Sequence, residues 1–136
     1  MARTPSSVST RPAKWWRKGE MSYDIEMVDA DGQIVHVPKH VEGGTYCIDG
    51  IDRAELNVTY NYSQLFYIFL DEEKGIRWLY GKTGKECEER LSVAVAKLGT
   101  QPYKDYWAPT MGNAGRTLWI LLQWAKANPD AIFQGD

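Results

Sequence analysis

Gly81-Lys82-Thr83, with Gly75 upstream, is the group in this chain whose types most suggest chemistry. A phosphate-binding loop needs glycine, four residues, then Gly-Lys-Ser/Thr, so that consecutive backbone N–H groups wrap a phosphate and the lysine reaches it. Here the five residues Ile76 through Tyr80 separate the glycines, and all are bulky, so side chains obstruct the approach of the backbone to oxygen atoms. The acid-ended run "YIFLDEE", which in such enzymes follows the loop and holds magnesium, precedes it instead. The simpler expectation is that Gly81 ends one helix and Thr83 begins the next.

Other groupings fall short of a catalytic or metal site. His36 and His40 are the only histidines, and Pro38 between them rules out a shared helical face. With Glu42 and Cys47 nearby they lack the convergent three or four ligands that zinc requires. Asp29-Ala30-Asp31-Gly32 starts like a calcium loop but lacks its later acids, and a hairpin turn accounts for it. The clusters Asp71-Glu72-Glu73 and Glu86 to Glu89 read as solvated faces. There is no G-x-S-x-G, and no Cys-His pairing with a local signature. No catalytic residue, metal or cofactor is therefore assigned. Cys47 and Cys87 lie outside any C-x-x-C spacing and read as reduced thiols.

Two stretches can bind. "PTMGNAGR" suggests a helix capped by Asn113, whose first N–H groups at Ala114, Gly115 and Arg116 would face an anion with the Arg116 guanidinium alongside. Such a site would hold or sequester an anionic small molecule or nucleotide. "KWWRK" sets Trp15 and Trp16 among Lys14, Arg17 and Lys18, the combination of stacking rings and phosphate contacts used for weak single-strand nucleic-acid binding.

The elements that must position these groups can be read from periodicity. The 136 residues are enough for one domain and one core. The net charge of −2 conceals a +4 segment at residues 1–20 and a −6 remainder. The first 20 residues, rich in Ser, Thr, Pro and basic groups, are expected to be a disordered tail, and residues 21–136 a single domain. "SYDIEMVDADGQIVHVP" predicts a hairpin around Ala30-Asp31-Gly32 that pairs Met27 with Val35 and Ile25 with Val37. "TYCID" and "AELNVTY" predict two more strands around a turn at Gly50-Ile51-Asp52. "SQLFYIFLDEE" fits a helix capped by Ser63 with Leu65, Ile68 and Phe69 on one face, a strand being the alternative. Residues 75–81 fit a short helix, and Cys87, Leu91, Ala94, Val95 and Leu98 mark a longer one from Thr83 to Gly99. A last, strongly apolar helix runs from Asn113 to the residues before Pro129. The fold class is α+β: a small N-terminal antiparallel sheet with about three helices packed on it. No apolar run reaches the ~20 residues that span a bilayer, no secretory leader is evident, and a cytoplasmic location is expected.

"LNVTYNYS", "GIRWLYGKTG", "YWAPTMGNAGRTL" and "NPDAIFQGD" together resemble a family of small uncharacterised bacteriophage and prophage proteins, over about residues 55–136. The resemblance implies no established activity. It does imply a non-catalytic interaction protein that binds a host or phage macromolecule, inhibition of host defence included. Six tryptophans and eight tyrosines without a catalytic grouping fit that expectation. Tyr60, Tyr62, Tyr106, Trp107 and Trp119 are the expected contact surface, for a protein partner or for a second copy of the chain.

Overall fold

The computed structural model describes residues 22–40 and 50–136. The predicted tail, with Lys14, Trp15, Trp16, Arg17 and Lys18, lies outside the described residues, as do "TYCID" and the Glu42 and Cys47 of the rejected metal grouping. The architecture is α+β. Strand β1 (Ser22–Val28) is central in an antiparallel sheet, flanked by β4 (Glu55–Thr59) and β5 (Ile132–Gly135). A second, two-stranded sheet pairs β2 (His36–His40) with β3 (Ile51–Arg53). Helices α1 (Ser63–Phe69), α2 (Gly84–Leu98) and α3 (Met111–Ala127) complete the fold, with 3-10 turns at Tyr60–Tyr62 and Gly75–Leu79.

Alternation decides which face of the large sheet is buried. Tyr23, Ile25 and Met27 of β1, Leu56 and Val58 of β4 and Phe133 of β5 all enter the core. The other face is polar: Asn57 Nδ2 donates to Ser22 Oγ and Asp24 Oδ1, both at 2.8 Å, and Gln134 Nε2 donates to Glu26 Oε1.

Neither edge of this sheet is left open. Gly81 N–H donates to Phe133 O (2.8 Å) and Phe133 N–H to Lys82 O (3.0 Å), so residues 81–83 run as a short ribbon along β5. On the other side Thr59 N–H donates to the Tyr106 hydroxyl (3.4 Å), which itself donates to Asn57 O (3.2 Å). A side chain stands there in place of a neighbouring strand, one of the ways native sheets blunt an edge.

The predicted hairpin holds only at its turn. Val28 bridges Ile34 in the expected register, and Val35 N–H reaches Met27 O (3.1 Å), but no ladder continues. Ala54 wedges between the two segments, accepting from Met27 N–H and donating to Val35 O. Ile25 pairs instead with Leu56 on one side and Gly135 on the other. The reason is competition for an edge: β4 brings five residues in register with β1, so β2 is displaced onto β3. The expected Gly50-Ile51-Asp52 turn is also corrected. Ile51 and Asp52 already lie in β3, and Gly50 enters that strand with φ +74°. A Cβ there would sit 2.7 Å from His40 O, so only glycine fits.

Residues 63–69 form the helix, not the strand. Ser63 is its first residue and not its cap: Tyr62 stands at the N-cap without a side-chain bond, and the 3-10 turn that leads into α1 is itself capped by Thr59, whose hydroxyl accepts from Asn61 N–H (3.1 Å). The buried face is Tyr62, Phe66 and Leu70; Leu65 and Phe69 of the expected face are only partly buried, and Ile68 is 63% exposed. Helix α2 matches its expected bounds. Thr83 Oγ accepts from Glu86 N–H (3.2 Å) while Thr83 N–H donates to the Glu86 carboxylate (2.8 Å), a capping box.

Helices α2 and α3 are antiparallel and exceptionally close. A Cβ on Gly84 would lie 2.8 Å from Ala125 O, and one on Gly115 would lie 1.7 Å from Gly99 O. Cys87, Leu91, Ala94 and Leu98 of α2 pack there with Ala114, Leu118, Leu121 and Ala125 of α3. Burial pushes the Cys87 thiol up to about 11, which keeps it protonated near neutrality. In a Cys47→Ser background at pH 8, Cys87 is expected to react with a chromogenic disulfide roughly 100-fold more slowly than an ordinary thiol, and at normal speed in denaturant. Rapid labelling of the folded protein would contradict this packing.

Candidate functional site

The Gly-Lys-Thr stretch is occupied structurally. Gly84 N–H donates to Ala131 O (2.9 Å), Lys85 N–H to Pro129 O (2.8 Å), and the Thr83 groups close the capping box. Lys82 Nζ donates to Trp78 O (2.7 Å) and lies 4.4 Å from the Trp78 ring centre. The amide groups that a phosphate would need are turned onto protein carbonyls.

The start of α3 differs from expectation in an informative way. The helix begins at Met111, and its cap is Thr110, whose hydroxyl accepts from Asn113 N–H (3.1 Å). Ala114 N–H is bonded to Thr110 O (3.1 Å), and Gly115 faces Gly99 at van der Waals contact. The proposed cradle of free N–H groups at Ala114, Gly115 and Arg116 behind an Asn113 cap is therefore corrected: the helix starts earlier, and these positions lie within it and against α2.

Asn113 does a different job. It is 5% exposed, and its side chain is fully hydrogen-bonded. Its Oδ1 accepts from Tyr103 N–H (2.8 Å), and its Nδ2 donates to Asp105 O (3.0 Å) and Ala108 O (2.9 Å), with Tyr106 O at 3.4 Å. One carboxamide thus pins the loop of residues 100–109 across the helix start. The Tyr62 hydroxyl donates to Tyr106 O from beneath, and burial holds its pKa far above the usual tyrosine range.

Pinning the loop creates a cleft of about 270 Å³ between β4, α3 and residues 102–106. Leu56, Pro102, Tyr103, Ile120 and the Tyr62 and Tyr106 rings make most of its wall, with Asn57, Asn113 and Thr117 among them. Lys104 and Arg116, both exposed, stand at its rim. Neither is paired with an acid among the described residues, and no carboxylate lines the cleft. Arg116 stacks on Trp119 at 4.8 Å, which holds the guanidinium in place without neutralising it.

The structure brings the two predicted sets partly together. Asn113 and Arg116 meet Tyr62 and Tyr106 at one cleft, and Trp107 packs edge-on to Tyr106 at 4.8 Å. Tyr62 is fully buried, so its place in an exposed contact surface is corrected: its ring edges Phe66 and Tyr106. Tyr60 belongs elsewhere, 4.6 Å from the Tyr23 ring with Arg77 beside both. Trp119 is half-buried and outside the lining. Tyr103, Lys104, Pro102, Leu56, Thr117 and Ile120 escaped the sequence reading, although "QPYKDYW" carries a signal, a lysine between two tyrosines after proline.

A second hollow, about 340 Å³, is walled by Asp29, Asp130 and residues 127–131. Asp29 is already occupied by the N–H groups of Asp31 and Gln33, and Asp130 is exposed near Lys85. No group of three or more His, Cys, Asp or Glu among the described residues could hold a metal ion. No helix among them is long and apolar enough to cross a membrane.

No family model matches the chain, and neither a curated protein nor a solved structure does.

Proposed function

We propose that this protein acts by binding, and that its recognition site is the cleft beside α3, which takes a small anionic ligand with an apolar body. The supporting observation is the pair of cations, Lys104 and Arg116, neither in an ion pair among the described residues, at the mouth of a concave and mostly apolar pocket. Concave apolar walls with a few placed polar groups are the usual anatomy of a ligand site. No Asp, Glu, His, Cys or Ser is among the described residues that line this cleft, which favours sequestering or sensing over turnover.

The test is a ligand-observed NMR screen of small organic anions against their neutral isosteres. Anions are expected to be preferred, and the Lys104→Ala/Arg116→Ala double variant to bind them at least about tenfold more weakly. Both side chains are exposed, so the melting temperature is expected to hold. Undiminished anion binding by the double variant would refute this site.

The resemblance to phage proteins supports a second reading, in which a host or phage macromolecule is the partner. Its specific support is an exposed apolar pair on α1, Tyr67 at 38% and Ile68 at 63% exposure. Ile68→Asp abolishing retention of a partner, with the cleft variants silent, would favour it.

A further inference from the structure

Resting on the reading of the cleft as an anion site, we infer that its ligand is a free aryl carboxylate or aryl phosphate, with one ring buried and the charge held at the rim. The argument is an inventory of hydrogen-bond capacity. Asn113 donates both amide hydrogens to loop carbonyls and accepts from Tyr103 N–H. The Thr117 hydroxyl donates to Asn113 O (3.2 Å), and the Tyr62 and Tyr106 hydroxyls donate to Tyr106 O and Asn57 O. Every side-chain proton on those inner walls is engaged with protein. A ligand body rich in hydroxyls, such as a ribose, would give up water there and find no free side-chain donor for its oxygens, only the acceptor lone pairs left on the Thr117 and tyrosine hydroxyls.

The remaining wall is hydrocarbon and ring: Leu56, Pro102, Ile120 and the Tyr103 ring, which is half-exposed at the entrance. These surfaces suit a flat apolar group stacked or edged against tyrosine. Charge has a place only outside, where Lys104 and Arg116 remain hydrated. Size agrees. About 270 Å³ lies just below the ~300–1,000 Å³ usual for ligand cavities, room for one ring and one small anionic group.

The experiment titrates the intact protein with phenyl phosphate, benzoate, AMP, inorganic phosphate and benzyl alcohol, following amide shifts of Thr117, Ile120 and Arg116. Phenyl phosphate and benzoate are expected to bind at least tenfold more tightly than inorganic phosphate, AMP or benzyl alcohol. Tyr103→Ala is expected to erase the advantage of phenyl phosphate over inorganic phosphate. Lys104→Ala/Arg116→Ala is expected to erase its advantage over benzyl alcohol. AMP or inorganic phosphate binding as tightly as phenyl phosphate would overturn this ligand class while leaving an anion site standing. If none of the anions shifts these amides, both the class and the site fail.

Discussion

Gly115→Ala is expected to destabilise the protein by about 3 kcal/mol, lowering its melting temperature by roughly 10 °C. The sign makes this informative. In an exposed helix interior the same change stabilises by about 1 kcal/mol, because alanine is the better helix former. Here the added methyl would meet Gly99 O at 1.7 Å, and Leu98 Cβ at 2.9 Å, far inside contact distance. Gly99 cannot easily retreat: it ends α2 with φ +81°, and its N–H is bonded to Val95 O. The two helices must separate, loosening the Cys87, Leu91, Leu118 and Leu121 layer. Thermal unfolding followed by circular dichroism measures the change, and a stabilised Gly115→Ala protein would mean that α2 and α3 do not touch at this level.

Asn113→Asp, nearly isosteric, is expected to cost about 3 kcal/mol at neutral pH, because a carboxylate cannot donate to Asp105 O and Ala108 O and would be buried against them. The pH dependence follows from the environment. A carboxyl facing carbonyl oxygens at 5% exposure has its folded pKa raised above the ordinary value of about 4. The folded state then binds the proton more tightly than the unfolded state does. The loss relative to wild type is therefore smallest below the unfolded pKa and grows as pH rises, levelling off above the folded pKa. Asn113→Ala is expected to lose stability to a similar extent at every pH. Melting curves of both variants between pH 4 and 8 test this, and a pH-independent Asn113→Asp would show that the carboxamide does not hold the loop. Since the loop forms one wall of the cleft, both variants are also expected to bind phenyl phosphate more weakly.

How much of this was legible in the sequence depends on how local each decision is. Tyr23, Ile25 and Met27 alternating with Asp24 and Glu26 announce a half-buried strand, and they form one. The i, i+4, i+7 spacing of Cys87, Leu91 and Ala94, with Thr83 and Glu86 in front, sets α2 within its own residues. Strand partnership is not local. The Met27–Val35 register satisfied every rule of a hairpin, yet β4 offered β1 a longer match, and nothing near residue 30 records that competition. The strand β5 was missed because it has four residues and no alternation of its own; its partners, β1 and residues 81–83, make it a strand.

The site shows the same division. Arg116 and Asn113 both stand out in the sequence, but an asparagine near a helix start fits a cap or a clamp equally well, and the Thr110 hydroxyl took the cap. Tyr62 and Tyr106 read as surface rings because aromatic count says nothing of burial. Their hydroxyls find carbonyl partners more than forty residues away in sequence, pairings no local pattern announces. Lys104 went unnoticed because a single lysine in a loop acquires meaning only when the fold brings it to the same cleft as a second cation.

Tyr106 has a consequence that reaches past ligand recognition. Its phenol bridges the last backbone groups of β4, so whatever lifts residues 100–109 away also bares a strand to which another polypeptide could add by main-chain pairing. Any contact that holds that segment down therefore also keeps this edge of the sheet covered.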